Sequence, residues 1–154
     1  MSQAADGVAT VVVRPRKTMI VAWVCAVVVF ALFVVVAVVL RTAETGVYFR
    51  LADQIAMAAI GALIAGGVLL LARPRVRADA EGIEVRNVLV TRTLPWDVVE
   101  RVAFPDGASW ARLELIGDDY LPVLAIQAVD GQRAVEGIRR VRALHAAAAR
   151  TRRP

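Results

Sequence analysis

Cysteine, histidine and lysine are almost absent from this sequence of 154 residues. The single cysteine, Cys25, lies inside an apolar run, and a chain with one cysteine cannot form an internal disulfide or a cysteine-rich zinc site. The single histidine, His145, has no histidine or cysteine partner, so we expect it at an exposed or half-buried helix position rather than at a metal. Lys17 is the only lysine among 19 basic residues, a bias typical of a GC-rich genome.

The motifs of common enzyme classes are also missing. There is no G-x-G-x-x-G or P-loop pattern, and Ser109 has no G-x-S-x-G surroundings that would make it a nucleophile. Asp97 follows Trp96 at a predicted strand start, where its carboxylate is expected to cap backbone N–H groups. A catalytic acid would need a partner group, and no residue near Asp97 in the sequence offers one. We therefore expect no catalytic residues, no cofactor and no metal, and a protein that is not an enzyme.

Apolar residues are abundant instead. They make up 58% of the chain, with a mean hydropathy of +0.60, against roughly 45–50% apolar residues in soluble domains. The excess lies almost entirely before Arg73, and the remainder has an ordinary globular composition. The chain is therefore predicted to combine a membrane anchor with one small domain.

Two apolar segments predict transmembrane helices. Residues 18–40 carry no formal charge, and a helix of that length spans about 34 Å, enough for a hydrocarbon core of about 30 Å. The second segment, 53–72, has 18 uncharged residues from Ile55 onward. A cleaved signal peptide is the alternative for the first segment, but the apolar run is too long and no A-x-A site follows it. We expect a transmembrane hairpin over residues 14–73.

Small residues recur along the second span. Ala58, Ala62 and Gly66 are four positions apart, which places them on one helical face where two backbones can approach closely. The alternatives are packing within the hairpin and packing between two chains. Packing within the hairpin is favoured.

The charges that flank the spans predict their orientation. The linker between the spans holds Arg41 and Arg50 against Glu44, whereas the outer flanks are more basic. Those flanking residues are Arg14, Arg16, Lys17, Arg73, Arg75 and Arg77. The positive-inside rule then places both termini in the cytoplasm and the protein in the plasma membrane. The linker is expected to be a short external turn at Gly46, and residues 1–13 a flexible tail.

Residues 74–149 are predicted to form the cytoplasmic domain. Apolar and charged residues alternate in about six short runs separated by turns, which is typical of half-buried antiparallel strands. Pro122 indicates that the last strand lies at a sheet edge. After Gly131 the apolar period becomes helical, through Ala134, Ile138 and Val141. Residues 150–154 are expected to be a basic tail.

Three segments of this domain, RVRADAEGIEVRN, LPWDVVERVAF and SWARLEL, carry a family resemblance. They resemble the bacterial PH-like domain family of the low-molecular-weight protein antigen 6 type, whose members often place two transmembrane helices before a small PH-like module. The resemblance covers about residues 15–149. It implies a membrane-anchored α+β fold, in which a two-helix transmembrane hairpin precedes a small PH-like β-barrel or bent antiparallel sheet capped by a C-terminal helix. The family lacks an established biochemical activity.

Aromatic and basic residues are the candidates for function. Trp96 and Trp110 are expected in the PH-like core rather than on a ligand surface. The candidates for contact with lipid or a partner are Arg73, Arg75, Arg77, Arg139, Arg140 and Arg142. A nucleic-acid partner is not expected, because no aromatic residues interleave with these arginines.

A phosphoinositide-type site is not expected either. Such sites use basic residues near the loop that joins the first two strands, and we assign that loop to residues 79–82. The loop holds Asp79 and Glu81, with Glu84 just beyond, and we expect Arg77 and Arg86 to pair with these carboxylates.

These observations predict a non-enzymatic, membrane-anchored interaction or scaffold module at the cytoplasmic face. Two alternatives remain open: an accessory subunit of a larger membrane complex, and a weak anionic-lipid-binding domain. The expected partners are the membrane and a protein, either another subunit or a second copy of the chain.

Overall fold

The computed structural model describes residues 10–42 and 50–152, which fall into two units. One unit contains the described parts of residues 1–16 and 74–154, and the other is residues 17–73. The first unit is therefore built from two separate segments of the chain, one before and one after the second unit. The expected external turn at Gly46 lies outside the described residues.

The second unit is a pair of long apolar helices. Helix α1 is Arg16–Thr42, and helix α2 is Leu51–Leu69, followed by a 3₁₀ turn at Leu70–Ala72. Both are long and apolar enough to cross a membrane, and only 11% of the most apolar stretch of each is buried within the chain. The core helix of a soluble protein would be mostly buried, whereas most of the apolar surface of these two helices is exposed.

The two helices contact each other through a different small residue from those predicted. Gly61 and Ala65 are the buried residues of α2, and a Cβ added at Gly61 would lie 2.5 Å from Cβ of Phe33 on α1. Ala62 and Gly66 are exposed. The prediction that Ala58, Ala62 and Gly66 form the packing face within the hairpin was therefore wrong, because the close approach to Phe33 turns α2 toward position 61.

The first unit contains seven strands among the described residues, in two antiparallel sheets. Strands β1 (Val11–Val13), β2 (Arg75–Ala78), β3 (Gly82–Arg86) and β4 (Thr91–Pro95) follow that order across one sheet. Strands β5 (Val99–Ala103), β6 (Trp110–Leu115) and β7 (Asp119–Gln127) form the other. A 3₁₀ turn at Ala128–Asp130 leads to helix α3 (Gln132–Thr151). Of the two expected alternatives, a β-barrel or a bent antiparallel sheet, the described residues do not form a closed barrel, because the two sheets have separate ladders.

Strand β1 corrects the prediction of a flexible tail over residues 1–13. Val11 and Val13 pair with Ala78 and Val76 of β2, and both valines pack against the core. Three consecutive β-branched residues suit a half-buried strand. The apolar helices are thus an insertion between two neighbouring antiparallel strands. Residues 1–9 lie outside the described part of the chain.

Helix α3 covers the core that the sheets enclose. Ala134, Ile138 and Val141 are buried on one helical face, as the apolar period predicts. Gly137 lies on the same side, where a Cβ would be 3.1 Å from Cγ1 of Val13. The helix continues to Thr151, so the predicted basic tail begins within its last turn.

The two sheets are joined by the side chain of Asn87. Its Nδ2 donates to the carbonyl oxygen of Pro122 at 2.8 Å, and its Oδ1 accepts from the N–H of Leu124 at 3.2 Å. Strand β7 is the edge strand of its sheet, as Pro122 predicts, and these hydrogen bonds satisfy part of its free edge.

Candidate interaction surfaces

Trp96 lies in the core of the first unit, as predicted. It is 2% exposed, and its Nε1 donates to the carbonyl oxygen of Asp79 at 2.8 Å. The Asp79 carboxylate accepts the N–H groups of Glu81 and Gly82 at 3.0 and 3.1 Å. A Cβ at Gly82 would lie 2.4 Å from the Leu94 carbonyl oxygen, so only glycine permits this approach of β3 and β4. Trp96 and Asp79 therefore shape a turn rather than a ligand site.

Trp110 does not lie in the core, contrary to the prediction. Its side chain is 46% exposed at the start of β6, opposite Gln127 and next to an irregularity in the ladder. The alternating pattern of this segment is correct, but Ala111 and Leu113 point into the core, which directs Trp110 outward. Trp110 is therefore a surface residue.

The first group of candidate arginines lies at the start of β2. Arg75 pairs with Glu84 at 3.1 Å, with both side chains about one-third exposed. Arg73 and Arg77 are exposed. The prediction that Arg77 and Arg86 pair with the nearby carboxylates was wrong for Glu84, which Arg75 binds.

The turn at residues 79–82 joins β2 to β3, so it is not the loop between the first two strands, as we assigned it. That loop is occupied by the two apolar helices. The turn lines a shallow pocket of about 390 Å³, whose lining includes Arg77, Asp79, Glu81 and Glu84. Arg75 binds Glu84, so Asp79 and Glu81 remain beside Arg77, and two carboxylates beside one guanidinium do not suit a phosphorylated headgroup.

The second group of candidate arginines borders an apolar groove at the start of α3. The groove has a volume of about 680 Å³, and two of the predicted residues, Arg139 and Arg142, line it, whereas Arg140 does not. Arg142 is fixed there, because its Nε donates to the Val102 carbonyl oxygen at 2.8 Å. The apolar lining consists of Phe104, Ala128, Ala134, Val135 and Ile138. The structure thus combines a hydrophobic surface with positive charge.

An ion cluster on β5 and β6 was missed by the sequence analysis. Glu114 accepts hydrogen bonds from Arg112 and Arg101, at N–O distances of 2.8 and 2.6 Å. The hydrogen bond from Arg112, followed by that from Arg101, lowers the pKa of the Glu114 carboxyl below its ordinary value. The guanidinium of Arg112 also lies 5.8 Å from the ring centre of Tyr120. The alternation of side chains along β5 and β6 places these residues on one face of the sheet. The register of β5 against β6, which brings them together, cannot be read from the sequence.

His145 has a structural position on α3, half-buried as predicted. Its Nε2 is 2.8 Å from the Val99 carbonyl oxygen, and its ring lies 5.4 Å from that of Trp96. No group of three or more histidine, cysteine or acidic side chains that could hold a metal occurs within residues 10–42 and 50–152.

Comparisons with known proteins agree with this architecture. Uncharacterized proteins of Mycobacterium bovis and of two Mycobacterium tuberculosis strains, CDC 1551 and H37Rv, are each 46% identical to this chain over 134 residues. The alignment covers 87% of this chain and 87% of each relative. Residues 73–144 match the family model of the bacterial PH domain. The chain contains a bacterial PH domain and belongs to the same family as these mycobacterial proteins.

The matched region of this bacterial PH domain begins at Arg73, directly after the apolar helices, and ends within α3. It therefore includes β2 to β7 but not β1, which the structure adds from the other side of the insertion. The relatives are similar over a longer stretch than the part of the chain from Arg73 onward, so the similarity extends into the helical hairpin. No solved structure matches.

Proposed function

We propose that this bacterial PH domain protein is a non-enzymatic interaction module, anchored in the plasma membrane by α1 and α2. Both termini lie in the cytoplasm in this proposal, following the basic flanks of the two helices. Among bacterial PH-like proteins, we propose that this chain is of the antigen 6 type, with two transmembrane helices before the domain.

The observation that carries the anchoring is the exposure of the two helices. Their most apolar stretches are 11% buried within the chain. In water such a surface would be strongly unfavourable, at roughly 25 cal/mol per Å² of apolar area. In a bilayer the same side chains contact lipid, and each helix satisfies its own backbone.

The groove at the start of α3 is the surface that best fits a protein partner. Val135 is 38% exposed within it, and Arg139 and Arg142 add positive charge at its border. This combination is complementary to an amphipathic segment that presents apolar side chains beside acidic ones. We therefore propose such a segment of another membrane-associated protein as the occupant.

The experiment compares partners recovered with the full-length chain and with a groove variant. The variant is Val135→Asp with Arg139→Glu, which adds a buried charge to the interface and inverts one border charge. Ile116→Asp is the control, because Ile116 is 69% exposed in the turn between β6 and β7. Each protein is extracted in mild detergent and purified by a terminal tag.

The proposal expects a protein in stoichiometric amount with the wild-type chain and the control, and its loss from the groove variant. That protein must also bind the wild-type chain directly when both are purified. Equal recovery with all three chains would contradict the groove as the site. Recovery that depends on α1 and α2 alone would favour the alternative of an accessory subunit.

Weak attraction to anionic lipid is the second candidate, supported by the arginines near the apolar helices. Each basic residue close to an anionic leaflet gains about 1 kcal/mol. Arg73 and Arg77 are exposed for such contact, whereas Arg75 is engaged by Glu84. We propose a salt-sensitive attraction of this kind without recognition of one headgroup.

A further inference from the structure

One end of the four-stranded sheet carries both connections to the apolar helices. The pairing of Val13 with Val76 places the end of β1 beside the start of β2. The pairing of Arg75 with Arg86, and of Arg86 with Thr91, places the turn between β3 and β4 at the same end. We name this the exit end of the sheet.

The turn at the exit end has an exposed apolar tip. It is closed by a hydrogen bond from the Asn87 N–H to the Val90 carbonyl oxygen at 2.8 Å. Leu89 is 81% exposed and Val90 is 55% exposed, in a place where hairpins usually carry Gly, Asn, Asp or Ser. The side chain of Asn87 holds the base of the turn against β7.

Two short linkers join the exit end to the start of α1 and to the 3₁₀ turn that follows α2. Arg14 and Pro15 separate β1 from α1, and Arg73 and Pro74 separate the 3₁₀ turn from β2. Since each residue spans at most about 3.6 Å, either linker reaches at most about 11 Å. The headgroup layer on one side of a bilayer is about 5–7 Å thick. Beyond the ends of β3 and β4, the tip extends by about the thickness of this headgroup layer, at roughly 3.3 Å per residue.

We propose that the tip formed by Leu89 and Val90 inserts into the interface of the same bilayer that α1 and α2 cross. This inference rests on the proposed membrane anchoring. The occupant is the lipid surface, because the exit end combines two exposed apolar side chains with basic residues. Arg14, Arg73 and Arg86 supply positive charge toward anionic headgroups, while Leu89 and Val90 enter the boundary of the acyl chains.

The test places an environment-sensitive fluorophore at the tip of the full-length protein. Cys25→Ala removes the native thiol, and Leu89→Cys accepts an NBD label. Ala80→Cys is the matched control, because Ala80 is exposed in the turn at the opposite end of the same sheet, about 13 Å away along β2. Both proteins are reconstituted into vesicles of phosphatidylcholine and phosphatidylglycerol, and carbonate-resistant flotation establishes insertion.

In inserted protein, the label at position 89 should emit at shorter wavelength than the label at position 80. It should be quenched by spin-labelled lipid and protected from aqueous iodide, with the opposite pattern at position 80. Because both variants carry the same apolar label, its own attraction to lipid cancels in the comparison. Equal iodide quenching at the two positions in inserted protein would overturn the inference and leave the anchoring intact. Failure to float after carbonate would overturn the anchoring itself.

Discussion

Gly137 of α3 lies directly against Val13 of β1, and a Cβ at position 137 would be 3.1 Å from Cγ1 of the valine. The two residues lie on opposite sides of the apolar insertion in the sequence. Their contact means that the domain is built from chain segments on both sides of the helices. The segment before α1 therefore takes part in the folding of the domain.

Enlarging Gly137 should therefore destabilise the domain. Gly137→Leu overpacks the contact with Val13 and should lower the free energy of unfolding by about 1–3 kcal/mol. Combining it with Val13→Ala should recover part of that loss, because the smaller side chain makes room. The measurement is thermal unfolding of the full-length protein in detergent, followed by tryptophan fluorescence. Strictly additive losses in the double variant would show that β1 does not pack under α3.

A cross-strand disulfide tests the pairing of β1 with β2. Val12 and Arg77 are register partners, so cysteines at these two positions, in a Cys25→Ala background, should form a disulfide on mild oxidation. The control is the pair Val12→Cys and Thr93→Cys, since β1 and β4 are three strand intervals, or roughly 14 Å, apart. Electrophoresis after cleavage between the positions reports the link. Equal cross-linking of both pairs would indicate a mobile N-terminal segment instead of a strand.

Trp96 and Trp110, the two tryptophans of the domain, should differ in their contribution to stability. Trp96→Ala removes a fully buried ring and should cost about 3–5 kcal/mol. Trp110→Ala removes a half-exposed ring and should cost about 1 kcal/mol. Circular dichroism melts of the full-length variants give the comparison. A larger loss for Trp110→Ala would contradict the burial of the two residues.

Acid should remove the stabilisation that the Glu114 cluster provides. Arg112 and Arg101 lower the pKa of Glu114 in the folded state from the ordinary 4.5, so the cluster is fully stabilising above that value. The stabilisation is lost as the pH falls through the folded-state pKa. Glu114→Gln should therefore melt at a lower temperature than wild type at pH 7, and the difference should shrink below pH 4.5. A difference in melting temperature that is constant from pH 7 to pH 3 would exclude this titration.

The sequence predicted those parts of the fold that depend on local patterns. The length of the two uncharged segments predicted both apolar helices. The change of the apolar period at Gly131 predicted α3. Strand β1 was missed because Val11–Val13 is short and its partner lies beyond two helices, so only a long-range contact defines it. Trp110 was misplaced because alternation gives two faces without saying which one is buried.

The candidate site was less predictable than the fold for the same reason. Arg139 and Arg142 were identified as candidates, but the apolar groove beside them needs Phe104 from a distant strand. The exposed tip at Leu89 cannot be recognised from the sequence, because Val88 to Val90 are apolar and β-prone, which is also typical of a strand. Only the register of β3 with β4 shows that these residues form a turn.

Cysteine accessibility in intact cells tests the central claim that this bacterial PH domain is held at the cytoplasmic face by two membrane spans. In a Cys25→Ala background, a cysteine at Thr45 should react with an impermeant maleimide in intact cells. A cysteine at Thr151, at the exposed end of α3, should react only after the membrane is permeabilised. Labelling of Thr151→Cys but not Thr45→Cys in intact cells would contradict the account.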